Sequence, residues 1–340
     1  MKQFLLKVCH AIVMSFQIDL PNGTHSLPFH QRLNYRLRWL LFSCCHPVET
    51  ALWFELVTSA DMQRFWLSSF PLACKPAREY MSTQWSSRKR IRCLKETYQV
   101  IRDNHCLSDA LTSKTGRVLA SVSLPSIGRV DICLGHDSRF RKEGELTLAV
   151  VSSELGGKLT SASMSFQRDT DGTLQCFIGA VQGDEGPDAI HAATKAMYGL
   201  RPKALVVWAV QEVARYLGVK VLFGVGSRIQ MHRKKCLFYL PLFHAVMFDY
   251  DAFWTELGGK CEGDRWFRLP LVAHQRDRDE IKPNKRSMYA KRYAMMDDLS
   301  LQVSRSVSGL DFLDLNDEDQ SEAWPLPVAT EGSVLAGACC

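Results

Sequence analysis

The chain has 340 residues and an ordinary apolar fraction of 46%, so it can bury a sizeable core and does not read as a low-complexity or disordered protein. Its net charge of +6 is unevenly placed: residues 304–340 carry seven acidic residues against Arg305 alone, leaving 41 basic and 29 acidic residues ahead of them, a net of +12. A basic body favours anionic partners such as nucleotides, phosphates, nucleic acid or acidic lipid headgroups; a solvated basic surface with an acidic tail lying loosely on it stays open beside that reading.

The first twenty residues hold Lys2, Lys7 and an apolar stretch that weakly imitates a secretion signal. His10 interrupts the stretch and no small-x-small cleavage pattern follows, so residues 1–28 read as a lead-in and the chain is expected in the cytoplasm. No run of about 18 uninterrupted apolar residues is present, which argues against a transmembrane span. Residues 29–114 read as a helical subdomain. Leu33, Leu37, Leu40 and Leu41 share one helical face, Pro47 opens the next helix at its first turn, and Leu94, Tyr98 and Ile101 pattern a third behind the basic run Arg88–Lys95.

After residue 115 the period changes to alternation. Strands are expected over Val118–Leu124, Val130–Leu134, Leu146–Val151, Ser161–Phe166 and Leu174–Val181, with Asp169-Thr170-Asp171-Gly172 as a turn. The short connections predict antiparallel neighbours. A polar stretch with room for a short helix over Ala189–Tyr198 precedes a strongly apolar helix, Ala204–Leu217, ended by Gly218. Val219–Val225 is apolar throughout and reads as a central strand, so strand, crossover helix and strand predict a right-handed parallel pair. A short helix at Asp251–Leu257, a strand at Trp266–Leu269 and a last helix from Pro283 complete a unit over 115–303. Residues 304–340 read as an acidic, disordered tail. The expected class is α+β: a helical N-terminal part, then a mixed, mostly antiparallel sheet with one parallel crossover.

The twelve cysteines form no C-x-x-C pair and no Cys/His grouping with zinc spacing, so no metal site is expected; several, Cys133 and Cys176 among them, read as small buried hydrophobes in a reducing compartment.

Six segments in order carry a likeness. They are Gly144-Glu145-Leu146-Thr147-Leu148; Ile178-Gly179-Ala180-Val181-Gln182-Gly183; Thr194 to Lys203; Tyr250-Asp251-Ala252-Phe253-Trp254 with Gly258-Gly259; Trp266 to Pro270; and Lys285 to Tyr289 with Arg292-Tyr293. Together they resemble the bacterial VirK/YbjX family, a domain of unknown function, over roughly residues 30–303. That resemblance implies a link with virulence and stress survival in Gram-negative bacteria. The order of elements also looks like the GNAT acyltransferase superfamily. This weaker likeness implies acyl-coenzyme A as cofactor, its pantetheine arm along Leu174–Val181 and its pyrophosphate at the start of the following helix. The glycine-rich loop of that superfamily is not present.

On these readings Val181, Gln182 and Gly183 line a cleft at the end of a strand, and Arg201 and Lys203 offer positive charge at a helix N-terminus to a phosphate. Pro202 starting a helix between two solvated cations is the plainer account. His232 stands after a parallel strand and is a candidate general base, or simply a polar loop histidine. Glu145 is a second candidate base, or a partner for a basic residue. Lys285, Arg286, Lys291 and Arg292 make a basic helical face for nucleic acid or anionic membrane, a less favoured partner than a phosphorylated small molecule.

Overall fold

The computed structural model describes residues 29–57, 72–231 and 248–309, with a few isolated residues besides. His232 and residues 310–340 lie outside the described residues. Two helices, α1 (Phe29–Cys45) and α2 (Pro47–Val57), are followed by a short 3-10 segment, Leu72–Ala77, and then by α3 (Ser87–Asp103) and α4 (His105–Thr112). The Ser86 hydroxyl accepts from the Lys89 N–H to start α3, and Asn104 both ends α3 and caps α4.

Five strands then run in an antiparallel meander: β1 (Arg117–Leu124), β2 (Gly128–Gly135), β3 (Leu146–Ser152), β4 (Gly157–Arg168) and β5 (Leu174–Gly183). Helices α5 (Pro187–Ala196) and α6 (Pro202–Tyr216) carry the chain to β6 (Val221–Val225), which pairs parallel to β5. After α7 (Tyr250–Glu256), β7 (Lys260–Glu262) and β8 (Trp266–Leu269) finish the sheet, whose order is β1-β2-β3-β4-β5-β6-β8-β7. The last helix, α8 (Arg286–Ser308), runs past the expected boundary at 303, because Val303 and Val307 are buried and Gly309 supplies the left-handed cap. Residues 304–308 thus belong to the helix and not to the tail.

Helix α6 is buried on nearly every side, as its composition predicts, and packs on β3, β4 and β5. Its two buried polar residues are satisfied: the Gln211 amide donates to the Pro270 carbonyl (2.7 Å), and Glu212 accepts from Ser300 (2.6 Å) and pairs with Arg215. Helix α3 solves a different problem. β3 begins opposite Met164, so β4 has an open edge beyond it. The Thr97 hydroxyl fills that edge, accepting from the Phe166 N–H (2.8 Å) and donating to the Phe166 carbonyl (2.9 Å). Phe177, Phe223 and Trp266 gather on one face of the sheet, where Trp85 closes over them, while Trp254 lies on Gly224 at the other. One apolar cluster extends from Trp39 to Val307, so the helical part and the sheet share a core.

Candidate functional site

The parallel pair is the point of interest. β5 and β6 pair over four positions, from Gln175↔Val221 to Ile178↔Gly224, and β5 then continues to Gly183 with β4 as its sole strand partner among the described residues. The divergence begins at a bulge: Ser163 faces Ala180 but Met164 faces Ile178, so Gly179 is an extra residue in β5. Only glycine fits, because a Cβ there would collide with the Glu143 carbonyl oxygen. Ser163 Oγ donates to that same carbonyl (3.0 Å), which presses the 140–145 loop onto the bulge.

Beyond the bulge, the Tyr250 hydroxyl sits at the opening. It accepts from the Val181 N–H (3.1 Å) and donates to the Val181 carbonyl (3.2 Å). Burial pushes its pKa up to about 12, the Val181 hydrogen bond opposing and the Glu143 charge adding, so it keeps its proton at neutral pH. The end of β6 is anchored by the same helix. Asp249 caps α7 through the Ala252 N–H, Asp251 accepts from the Ser227 N–H (2.6 Å), and the Trp254 indole donates to the Val225 carbonyl (2.8 Å).

At the far end of β5, Gln182 and Gly183 are exposed, and Lys203 lies against the open side of Gly183, where a Cβ would stand 3.4 Å from its Cε. Lys203 Nζ sits 3.7 Å over the Phe248 ring, and burial, with the Arg201 charge, lowers its pKa. Arg201 is ion-paired with Glu256. The turn before α6 puts Tyr198 and Gly199 in the left-handed region, and Arg292 from α8 fixes it by donating twice to the Tyr198 carbonyl (2.6 and 3.0 Å). The structure therefore brings Val181, Gln182, Gly183 and Lys203 together, with Arg201 beside them.

Glu145 stands elsewhere. Its side chain is fully buried, both oxygens accept from Lys75, and the Tyr98 hydroxyl donates to it (2.6 Å). Burial alone would raise its pKa, but the Lys75 charge and these hydrogen bonds hold it below the ordinary carboxylate value. Tyr80 and Ser165 extend the network (2.5 Å), and Ser165 accepts from the Glu145 N–H. His136 Nδ1 donates to the Glu145 carbonyl (3.3 Å); burial and the Lys75 charge lower its pKa. Pairing, the second of the two readings of Glu145, describes its surroundings. Glu143 is buried beside the opening: its backbone carbonyl lies over the bulge, and its charge adds to the raised pKa of Tyr250. Nothing in the local pattern marks it, because only the folding of the 140–145 loop onto β5 puts it there.

Fold and site together define an α+β protein with a mixed, mostly antiparallel sheet, in which a parallel crossover pair opens at a bulge beside a cationic helix start. Residues 28–305 match the family described as "Protein of unknown function (DUF535)", and the chain belongs to that family, the VirK/YbjX family. It is 27% identical over 290 residues to the uncharacterized protein YbjX of Escherichia coli (strain K12), covering 83% of this chain and 86% of that protein. An uncharacterized protein of Haemophilus influenzae is 22% identical over 287 residues, 82% of this chain and 92% of its own length. Among solved structures, a cAMP-binding acyltransferase from Mycobacterium smegmatis overlaps 55% of this chain and 56% of its own, at 12% identity and a TM-score of 0.26. Among the described residues no helix is long and apolar enough to cross a membrane.

Proposed function

We propose that this protein is an acyl-coenzyme A-dependent acyltransferase working in the cytoplasm, passing an acyl group from the thioester to an amine or hydroxyl. The observation that carries this reading is the opening of β5 from β6 at Gly179, with Lys203 and the start of α6 set against the end of β5. An extended pantetheine arm would run along Ala180–Gly183, taking over the Val181 groups from the Tyr250 hydroxyl, and its pyrophosphate would meet the Lys203 N–H at the start of α6 with the Lys203 and Arg201 side chains. The acceptor attacks the thioester carbonyl and gives up its proton to a base, and the thiolate leaves and takes a proton. Glu143 takes the place of Glu145 as carboxylate candidate for the base, His232 remains the other, and Tyr250 holds a proton within the opening.

Thermal unfolding in the presence of acyl-coenzyme A compounds tests this. Saturation at a hundred times the dissociation constant stabilises by about 2.7 kcal/mol, a rise of several degrees. The Arg201→Ala/Lys203→Ala variant should lose that rise while melting normally alone. No stabilisation by any such compound removes the reading.

One observation favours a second reading, a non-enzymatic protein sensing a phosphorylated ligand in the stress or virulence setting linked with the family. Both backbone groups of Val181 that a pantetheine arm would use are already taken by Tyr250. On this reading phosphate or a nucleotide stabilises the protein as well as a thioester does, and no acyl transfer accompanies binding.

A further inference from the structure

Two side-chain hydroxyls in this protein do the same job in different settings. The N–H and C=O of one strand residue point to the same side, and a neighbouring strand ordinarily takes both. Beyond Met164, where β3 no longer covers β4, the fully buried Thr97 hydroxyl takes both groups of Phe166, at 2.8 and 2.9 Å. Where β5 leaves β6, the Tyr250 hydroxyl takes both groups of Val181, at the longer distances of 3.1 and 3.2 Å. Thr97 seals a seam inside the core. Tyr250 seals the edge along which a thioester arm would run.

What stands behind Tyr250 also differs. Its backbone is tethered: its N–H donates to Ser227 Oγ (3.0 Å), while Asp251 and Trp254 of the same helix hold the Ser227 N–H and the Val225 carbonyl. A movement that frees Val181 therefore falls to the Tyr250 side chain. Its ring packs edge-on against Phe248, with centroids 4.9 Å apart, and Lys203 Nζ stands 3.7 Å over the same Phe248 ring. A line of contacts thus runs from the Val181 edge through Tyr250 and Phe248 to Lys203, at the start of α6.

We propose that Tyr250 is a gate: its hydroxyl holds the β5 edge in the free protein and swings aside when a phosphorylated thioester binds. A ring face holds an ammonium more weakly than a phosphate does, so phosphate at the start of α6 draws Lys203 off Phe248. That loosens the packing behind Tyr250 as the amides of the arm arrive to take both Val181 groups, and the hydrogen bonds broken at Val181 are replaced. The gate rests on the acyl-transfer reading for its ligand and adds how entry to the site is controlled.

Amide hydrogen exchange of the free protein tests the gate with no ligand present. Phe166, sealed by the same kind of bond, is the internal reference. The Val181 amide should exchange through local opening, at least about a hundredfold faster than that of Phe166, which opens only with the core. Adenosine 3′,5′-bisphosphate, the phosphate end of coenzyme A without its arm, should quicken Val181 exchange further. Calorimetric titration of coenzyme A into the parent and Tyr250→Phe is the second measurement. The variant lacks the bonds that the ligand must displace. It should melt lower alone, bind coenzyme A roughly tenfold more tightly, and match the parent's melting temperature at saturation. A Val181 amide as well protected as that of Phe166 overturns the gate whatever coenzyme A does. So does Val181 exchange unmoved by bound bisphosphate, or a Tyr250→Phe variant that binds coenzyme A no more tightly than the parent. Local opening at Val181 with coenzyme A bound by neither protein removes the acyl-transfer reading and leaves the gate in place.

Discussion

Lys75→Ala should cost about 3–5 kcal/mol of folding stability, because it leaves the fully buried Glu145 carboxylate without its counter-charge. That is a large part of the 5–15 kcal/mol typical of a domain. The penalty comes from the orphaned charge rather than from the worth of the pair, and a second variant separates the two. In Lys75→Met/Glu145→Gln no charge is buried, and the amide oxygen introduced at position 145 can still accept from Tyr98, so most of the lost stability should return. The pH dependence follows from the direction of the Glu145 shift. The folded protein keeps this carboxylate ionised to a lower pH than the unfolded chain does, so its contribution is complete above the ordinary glutamate value of 4.5 and is lost as pH falls through the folded pKa. Removing Lys75 withdraws the main force holding that pKa down, and acid unfolding should then begin at a higher pH. Urea unfolding of the three proteins across that range measures both effects. A Lys75→Ala protein as stable as the parent would show that Glu145 is not held as an ion.

Gly179→Ala should be nearly as damaging, at least about 3 kcal/mol, although it adds one methyl group. The obstacle is backbone and not a flexible side chain: the new Cβ would run into the Glu143 carbonyl, which Ser163 also holds in place. Relief requires the 140–145 loop to lift or the bulge to flatten, and either closes or distorts the opening between β5 and β6. Gly183→Ala provides the contrast. Its Cβ would meet only the flexible end of Lys203, at 3.4 Å, so its cost should be small. Comparable melting temperatures for the two variants would contradict this account of the bulge.

The parallel pair was legible in the sequence because its signals are local. Val221–Val225 is too apolar for an edge strand, Gly218 ends the helix before it, and that helix has no polar side wide enough for solvent. β7 was not legible: Lys260–Glu262 is three exposed residues with no alternation, and it exists only because β8 offers an edge. The site divides in the same way. Val181, Gln182, Gly183 and Lys203 follow from one strand and one helix start. Glu143 and Tyr250 reach the opening from positions far apart in the chain, through a bulge that a single glycine within a strand does not announce. Glu145 drew attention as an acid in a shared motif, but its burial with Lys75 depends on a partner seventy residues away. The exposed Leu33, Leu37 and Leu41 of α1 illustrate the limit of periodicity, which finds an apolar face without saying whether protein covers it.

The central claim is that the end of β5 and the start of α6 form one binding surface for a phosphorylated thioester cofactor. Titrating coenzyme A into isotopically labelled protein, and following the backbone amides of residues 180–183 and 203–205, tests it most directly. The claim predicts saturable shifts confined to those two stretches and to Tyr250, and their loss in Arg201→Ala/Lys203→Ala. Unmoved amides at both stretches under conditions where coenzyme A binds elsewhere, or does not bind, would contradict it.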